Sequence, residues 1–154
     1  MVIQRWQSLF LLLAGGLMAA FTFCTLGTFH PDGALLEFKT WGIYDTGLYG
    51  SGNHGSVSTL YLAALSCLSF ILPLVGIFLF RNLTLQRRVC SVSALLLAAI
   101  VAVSIILGYV AVDGAMVSWR PIAVAPVISF IACMMARRAV AADQELLASA
   151  DRIR

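Results

Sequence analysis

Ser58–Val112 reads STLYLAALSCLSFILPLVGIFLFRNLTLQRRVCSVSALLLAAIVAVSIILGYVAV. Two runs in it, about 58–80 and 89–112, contain no Asp, Glu, Lys or Arg; charge is confined to the turn between them, at Arg81, Arg87 and Arg88. One bilayer crossing takes ~20 apolar residues. In hydrocarbon every backbone N–H and C=O needs an internal partner, so such runs are helices rather than open strands. The short turn makes the two helices antiparallel neighbours.

Two further runs flank this pair. The first, about 6–29, contains LFLLLAGGLMAAFTFCTLGTF, and the last, about 119–136, is the shortest of the four. The whole chain of 154 residues is 61% hydrophobic and 11% charged, with a mean hydropathy of +0.96. A soluble domain is about 45–50% apolar and about 25% charged. These figures exclude a water-soluble globule, a disordered chain and a fibrous fold, and the length allows one domain. The first run exceeds the roughly 7–15 apolar residues of a signal-peptide core and no A-x-A site follows it, so it reads as an uncleaved helix.

The basic residues set the orientation. Arg5, Arg81, Arg87, Arg88, Arg137, Arg138, Arg152 and Arg154 fall on one side of the four crossings; of the 10 basic residues, only Lys39 and Arg120 fall on the other. The positive-inside rule places the larger group in the cytoplasm, with both termini. The loop of about 28–57 and the short turn near Asp113–Arg120 then face outward. The expected fold is an all-α integral membrane protein: a four-helix, up-down-up-down transmembrane bundle with a cytoplasmic tail of about 137–154.

Within the spans, Gly15 with Ala19, Gly16 with Ala20, and Ala94, Ala98 and Ala102 have the small-xxx-small spacing that lets helices approach closely. Packing inside the monomer is favoured over a dimerisation face. Pro73 and Pro126 are expected to kink helices two and four, each removing a backbone donor. In the outer loop, LLEFKTWGIY has strand-like composition followed by turn residues, so a small β-hairpin is expected on the bundle's outer end. Trp41, Tyr44 and Tyr49 suit the headgroup level. In the tail, Leu146, Leu147, Ala150 and Ile153 share one face at helical spacing. A short amphipathic helix is expected there, extending helix four, with Asp143, Glu145 and Asp151 available to pair with Arg5, Arg87 or Arg88.

Catalytic patterns are sparse. Thiol redox chemistry needs a vicinal cysteine pair, but Cys24, Cys67, Cys90 and Cys133 fall one per run and read as small hydrophobes. Ionisable residues inside a span mark transport paths, and none is central here. Asp113 and Arg120 flank the outer turn and can pair. His30, Asp32, Glu37, Asp45 and His54 share the outer loop without the spacing of a metal site and read as solvated loop residues. No zinc-hydrolase, nucleophile-elbow or phosphate-loop motif occurs. No catalytic residue, cofactor or metal is assigned, and the arginines, explained by topology, imply no nucleic-acid partner.

Three blocks carry a resemblance: Gln4-Arg5-Trp6-Gln7 with Leu11-Leu12-Leu13-Ala14; Arg81-Asn82, Leu85-Gln86, Arg88 and Cys90; and Arg137-Arg138-Ala139, Asp143, Glu145-Leu146 and Ser149 to Arg154. In these the chain resembles the domain of unknown function 4293 family, small membrane proteins of a Gram-negative bacterial lineage. The resemblance spans nearly the whole chain. It implies a four-helix protein of the bacterial inner membrane and brings no activity or cofactor.

Its motif residues gather on the cytoplasmic side, so Gln4, Arg5, Gln7, Arg81, Arg87, Arg88, Arg137, Arg138, Asp143, Glu145, Asp151 and Arg152 are the candidate partner-contact or topology-setting residues. The first functional reading is a non-enzymatic accessory or scaffold subunit that contacts the lipid bilayer and a membrane-protein partner or a second copy. The second is a small enzyme or carrier for a lipid-like or quinone-like molecule. The third is an envelope sensor.

Overall fold

The computed structural model describes residues 2–30, 35–45, 59–79, 82–110 and 117–152. Four long helices dominate: α1 (Val2–Phe23), α2 (Leu60–Phe78), α3 (Leu83–Val110) and α4 (Ala125–Arg152). All four are long and apolar enough to cross a membrane. At ~1.5 Å per residue, α1 is about 33 Å long and α3 and α4 each about 42 Å, against a hydrocarbon core of ~30 Å. Each helix packs on two others, through the pairs α1·α4, α3·α4, α1·α2 and α2·α3, which close a four-membered ring.

Only about a third of each apolar span is buried within the fold. Phe78, Leu95, Ile106 and Tyr109 lie on the outside, Tyr109 at 79% exposure. Helices apolar on both the packed and the outer face need an apolar solvent. Inside the ring, Leu11, Ala14, Met18, Phe21, Leu62, Leu97, Ile100, Cys133 and Val140 are buried. Ser129, in the second turn of α4, donates to the Ala14 carbonyl of α1 at 3.2 Å and ties the two helices together.

The expected four-helix chain with one small hairpin carries more sheet than the sequence reading gave it. Four short strands, β1 (Gly27–Phe29), β2 (Leu36–Lys39), β3 (Gly42–Asp45) and β4 (Val117–Trp119), form an antiparallel sheet in the order β3-β2-β1-β4. The β2–β3 hairpin occupies the stretch read as strand-like. The other two strands do not follow from the sequence reading. β1 lies where the first apolar run was read as helix to residue 29, so α1 ends six residues earlier than expected.

The reason for that end is visible in its carbonyls. The last turn of a helix leaves C=O groups without intrahelical partners. Thr40 Oγ1 and Trp41 Nε1, at the hairpin turn, both donate to the Thr22 carbonyl, at 2.6 and 3.1 Å. Thr59, just before α2, donates to the Thr40 carbonyl at 2.9 Å. The sheet thus joins the end of α1 to the start of α2. Phe29 and Phe38 are buried with Leu26 in the same core cluster as the helices, and Trp119 stands edge-on to Phe38 at 6.1 Å.

Close approaches fix this end. A Cβ on Gly27 would lie 2.8 Å from the Val117 side chain and 2.9 Å from the Ser118 carbonyl; one on Gly108 would lie 2.5 Å from the Trp119 ring. Pro73 is buried inside α2. Pro126 is not in a helix interior: α4 begins at Ala125 after a 3-10 turn, Pro121–Val124. In a first turn the missing N–H has no intrahelical acceptor to lose, so the ground for a kink there is gone. Of the small-residue pairs, Gly15 faces Leu74 and the Phe70 carbonyl of α2, inside the monomer, whereas Gly16, Ala98 and Ala102 face outward.

Candidate functional site

The three motif blocks meet at the end of the bundle opposite the sheet. α1 begins there, α3 begins there just after Asn82, and α4 passes through on its way to Arg152. Leu11 of α1, Cys90 of α3 and Ala136 of α4 are buried together in a second, smaller core cluster. Small residues at Cys90 and Ala136 let three helices converge around one leucine.

Polar side chains lock this convergence. Gln7, only 2% exposed, donates its amide N–H to the Asp143 carboxylate. Gln144 Nε2 donates to Thr84 Oγ1 at 3.3 Å, joining α4 to the start of α3. Gln86 is also buried, and its Oε1 has no hydrogen-bond partner among the described residues. The expected pairing of the tail acids with Arg5, Arg87 or Arg88 is not what Asp143 makes. It uses a neutral amide, which shares a half-buried site at a smaller desolvation cost than a second charge. Glu145 is exposed, and so are Arg87, Arg88 and Arg138, while Arg137 is half-buried. Among the described residues none of these arginines has a carboxylate within ion-pairing distance; that pairing occurs between Lys39 and Glu37, at 3.0 Å.

Arg87, Arg137 and Arg138, with Met134 and Ala141, line a cavity of about 190 Å³ between α3 and α4. Sequence reasoning named all three arginines but not their convergence, because α3 and α4 are registered against each other only by packing. Gln4 and Arg5 sit in the first turn of α1, and Asp151 and Arg152 in the last turn of α4. Arg81 lies outside the described residues. The tail is helical as an extension of helix four: α4 continues unbroken from Ala125 to Arg152 and leaves Leu146 57% exposed.

A second cavity, about 390 Å³, opens near the sheet end between α3 and α4. Its walls include Ser104, Ile105, Trp119, Pro121 and Val127, with Arg120 at its edge. Ser104 donates its hydroxyl to the Ile100 carbonyl at 2.6 Å.

In the sheet, Glu37 binds Lys39 and accepts a longer hydrogen bond from Thr25 at 3.5 Å. The Lys39 ammonium holds its carboxyl below the usual carboxylate range, partly opposed by burial. Lys39 also lies 5.7 Å from the Tyr44 ring. His30 is exposed, and Asp32, Tyr49, His54 and Asp113 lie outside the described residues. Cys24 is exposed, contrary to its reading as a buried hydrophobe; Cys67 is half-buried, and Cys90 and Cys133 are buried.

No curated protein matches the chain. Among protein families, residues 3–153 match Domain of unknown function (DUF4293). The match runs from the first motif block to the last, through every helix described above, and the chain belongs to the DUF4293 family.

Proposed function

We propose that this is a multi-pass protein of the bacterial inner membrane, an up-down-up-down bundle with both termini in the cytoplasm. In this reading it acts as a non-enzymatic accessory or scaffold subunit that engages a membrane-protein partner through its cytoplasmic end. The observation that carries the reading is the convergence of all three motif blocks at that end, below an α4 that continues past the bilayer thickness. Eight of the 10 basic residues lie on that side by chain order, as the positive-inside rule requires of a cytoplasmic face. The exposed Leu146 and Glu145 give the projecting segment the apolar and charged elements of a helix that docks on another protein.

The test is site-specific photo-crosslinking in native membranes. A probe at Leu146 is expected to give a discrete protein adduct, while the same probe at Leu95, in mid-span, gives none of that mass. No protein adduct from Leu146, Glu145 or Arg88, together with a monomer alone after mild-detergent purification, overturns the proposal. A second reading, a carrier or enzyme for a lipid-like or quinone-like molecule, is supported by the 390 Å³ cavity, which lies within the ~300–1,000 Å³ of ligand sites.

A further inference from the structure

Three guanidinium groups around one cavity repel one another unless an anion lies between them. The tail's acids do not serve: Asp143 is held by Gln7, and among the described residues no carboxylate pairs with Arg87, Arg137 or Arg138. At about 190 Å³ the cavity is smaller than a typical small-molecule site but accepts a single tetrahedral anion. Arginine's planar fork suits phosphate oxygens, two N–H groups to one phosphate.

Depth narrows the source of that phosphate. Arg137 stands about 24 Å along the axis from Pro121 at ~1.5 Å per residue, and the hydrocarbon core is ~30 Å thick. Arg87 is one turn from the start of α3. The cavity therefore sits at the margin of the apolar span, where headgroups lie. Met134, one turn deeper on α4, continues its wall with apolar surface, against which an acyl chain can run. Basic pockets between membrane helices at the cytoplasmic leaflet take anionic lipid headgroups in this way.

We propose that Arg87, Arg137 and Arg138 form a binding site for the phosphate of an anionic phospholipid in the leaflet bordering the end opposite the sheet. The site rests on the membrane-spanning reading and is independent of a protein partner. It is therefore tested on purified protein alone, so its failure leaves the partner reading standing.

The experiment is native mass spectrometry in mild detergent with phosphatidylglycerol or phosphatidylcholine added at equal concentration. The wild-type chain is expected to retain phosphatidylglycerol at about tenfold lower concentration, the scale of one charge-assisted contact set. R87Q/R137Q/R138Q abolishes the preference, and R138Q, at an exposed position that spares the packing, weakens it several-fold. R88Q, whose arginine is outside the cavity, leaves it intact. Equal retention of the two lipids by the wild type overturns the site, as does an R88Q loss equal to that of R138Q. Displacement of phosphatidylglycerol by millimolar inorganic phosphate, with retention of the inorganic ion, assigns the cavity to a soluble phosphate and overturns the lipid assignment.

Discussion

Gln7 and Asp143 stand 136 residues apart in the chain and share a hydrogen bond across the α1–α4 contact, the amide donating to the carboxylate. Gln7 is almost wholly buried, so its amide has little access to water and depends on Asp143 for its donor. Losing one member leaves a buried polar group unpaired, at about 1–3 kcal/mol; replacing both by apolar groups of similar shape leaves nothing to desolvate. D143A and Q7A are therefore expected each to lower the thermal midpoint in detergent by several degrees, and Q7L/D143L to lower it by less than the sum. Strict additivity across this double-mutant cycle refutes the coupling.

The sheet end makes a graded prediction from three glycines. On Gly27 a methyl group would press on the Ser118 carbonyl, a backbone atom that cannot turn aside; on Gly108 it would enter the Trp119 ring. On Gly16 it would meet nothing within 4 Å. Overpacking of a fitted contact costs about 1–3 kcal/mol. G27A and G108A are expected to destabilise the protein by amounts in that range, and G16A to leave the thermal midpoint unchanged, all measured by thermal unfolding in one detergent.

Glu37 supplies a pH dependence confined to the sheet. Its folded-state pKa lies below the ordinary carboxylate value, chiefly through the hydrogen bond from Lys39. A group lowered on folding stabilises the fold above its unfolded pKa of ~4.3, and that contribution is lost as pH falls through the folded value. Because the pair is partly exposed, the amount is small, below about 1 kcal/mol. Carboxyl-carbon NMR should find Glu37 titrating below the ordinary glutamate value, and K39M should move it upward. An unmoved Glu37 in K39M means that Lys39 is not the cause.

What could be read in the residues divides along the range of the interactions. The α2 helix and α3 from Val89 onward follow from uninterrupted apolar stretches, because in hydrocarbon the helix is the local way to satisfy the backbone. α3 begins six residues earlier, at Leu83, and takes in Arg87 and Arg88, which the apolar pattern leaves in the turn. The turn of the β2–β3 hairpin, at Thr40-Trp41, lies inside the stretch 35–44 and not at the turn residues that come after it, but the two strands follow from the strand-like composition of that stretch. β1 and β4 do not, because three residues such as Gly27–Phe29 are too few to show alternation. Their pairing also joins segments about 90 residues apart, so no local pattern announces it. At the opposite end, the motif residues and the excess of arginine are visible in the chain. Opposite charge is the legible signal and points Asp143 toward arginine, whereas a buried glutamine partner is decided by the α1–α4 packing. The packing of α3 on α4, equally non-local, draws Arg87 to Arg137 and Arg138.

Membrane orientation is open to direct chemistry because the two ends carry exposed positions. His30 lies beside β1 at the sheet end, and Arg88 is exposed near the start of α3 at the other. In a chain with Cys24 and Cys67 replaced by serine, H30C and R88C each offer a thiol beyond the apolar spans, while Cys90 and Cys133 stay buried. A membrane-impermeant maleimide cannot cross intact hydrocarbon, and the positive-inside rule places the arginine-rich end within the cell. Intact cells, their outer membrane made permeable, should label H30C and leave R88C unmodified until the inner membrane is broken. The reverse pattern inverts the protein. Equal labelling of both positions in intact cells rules out a bundle that places its two ends in different compartments.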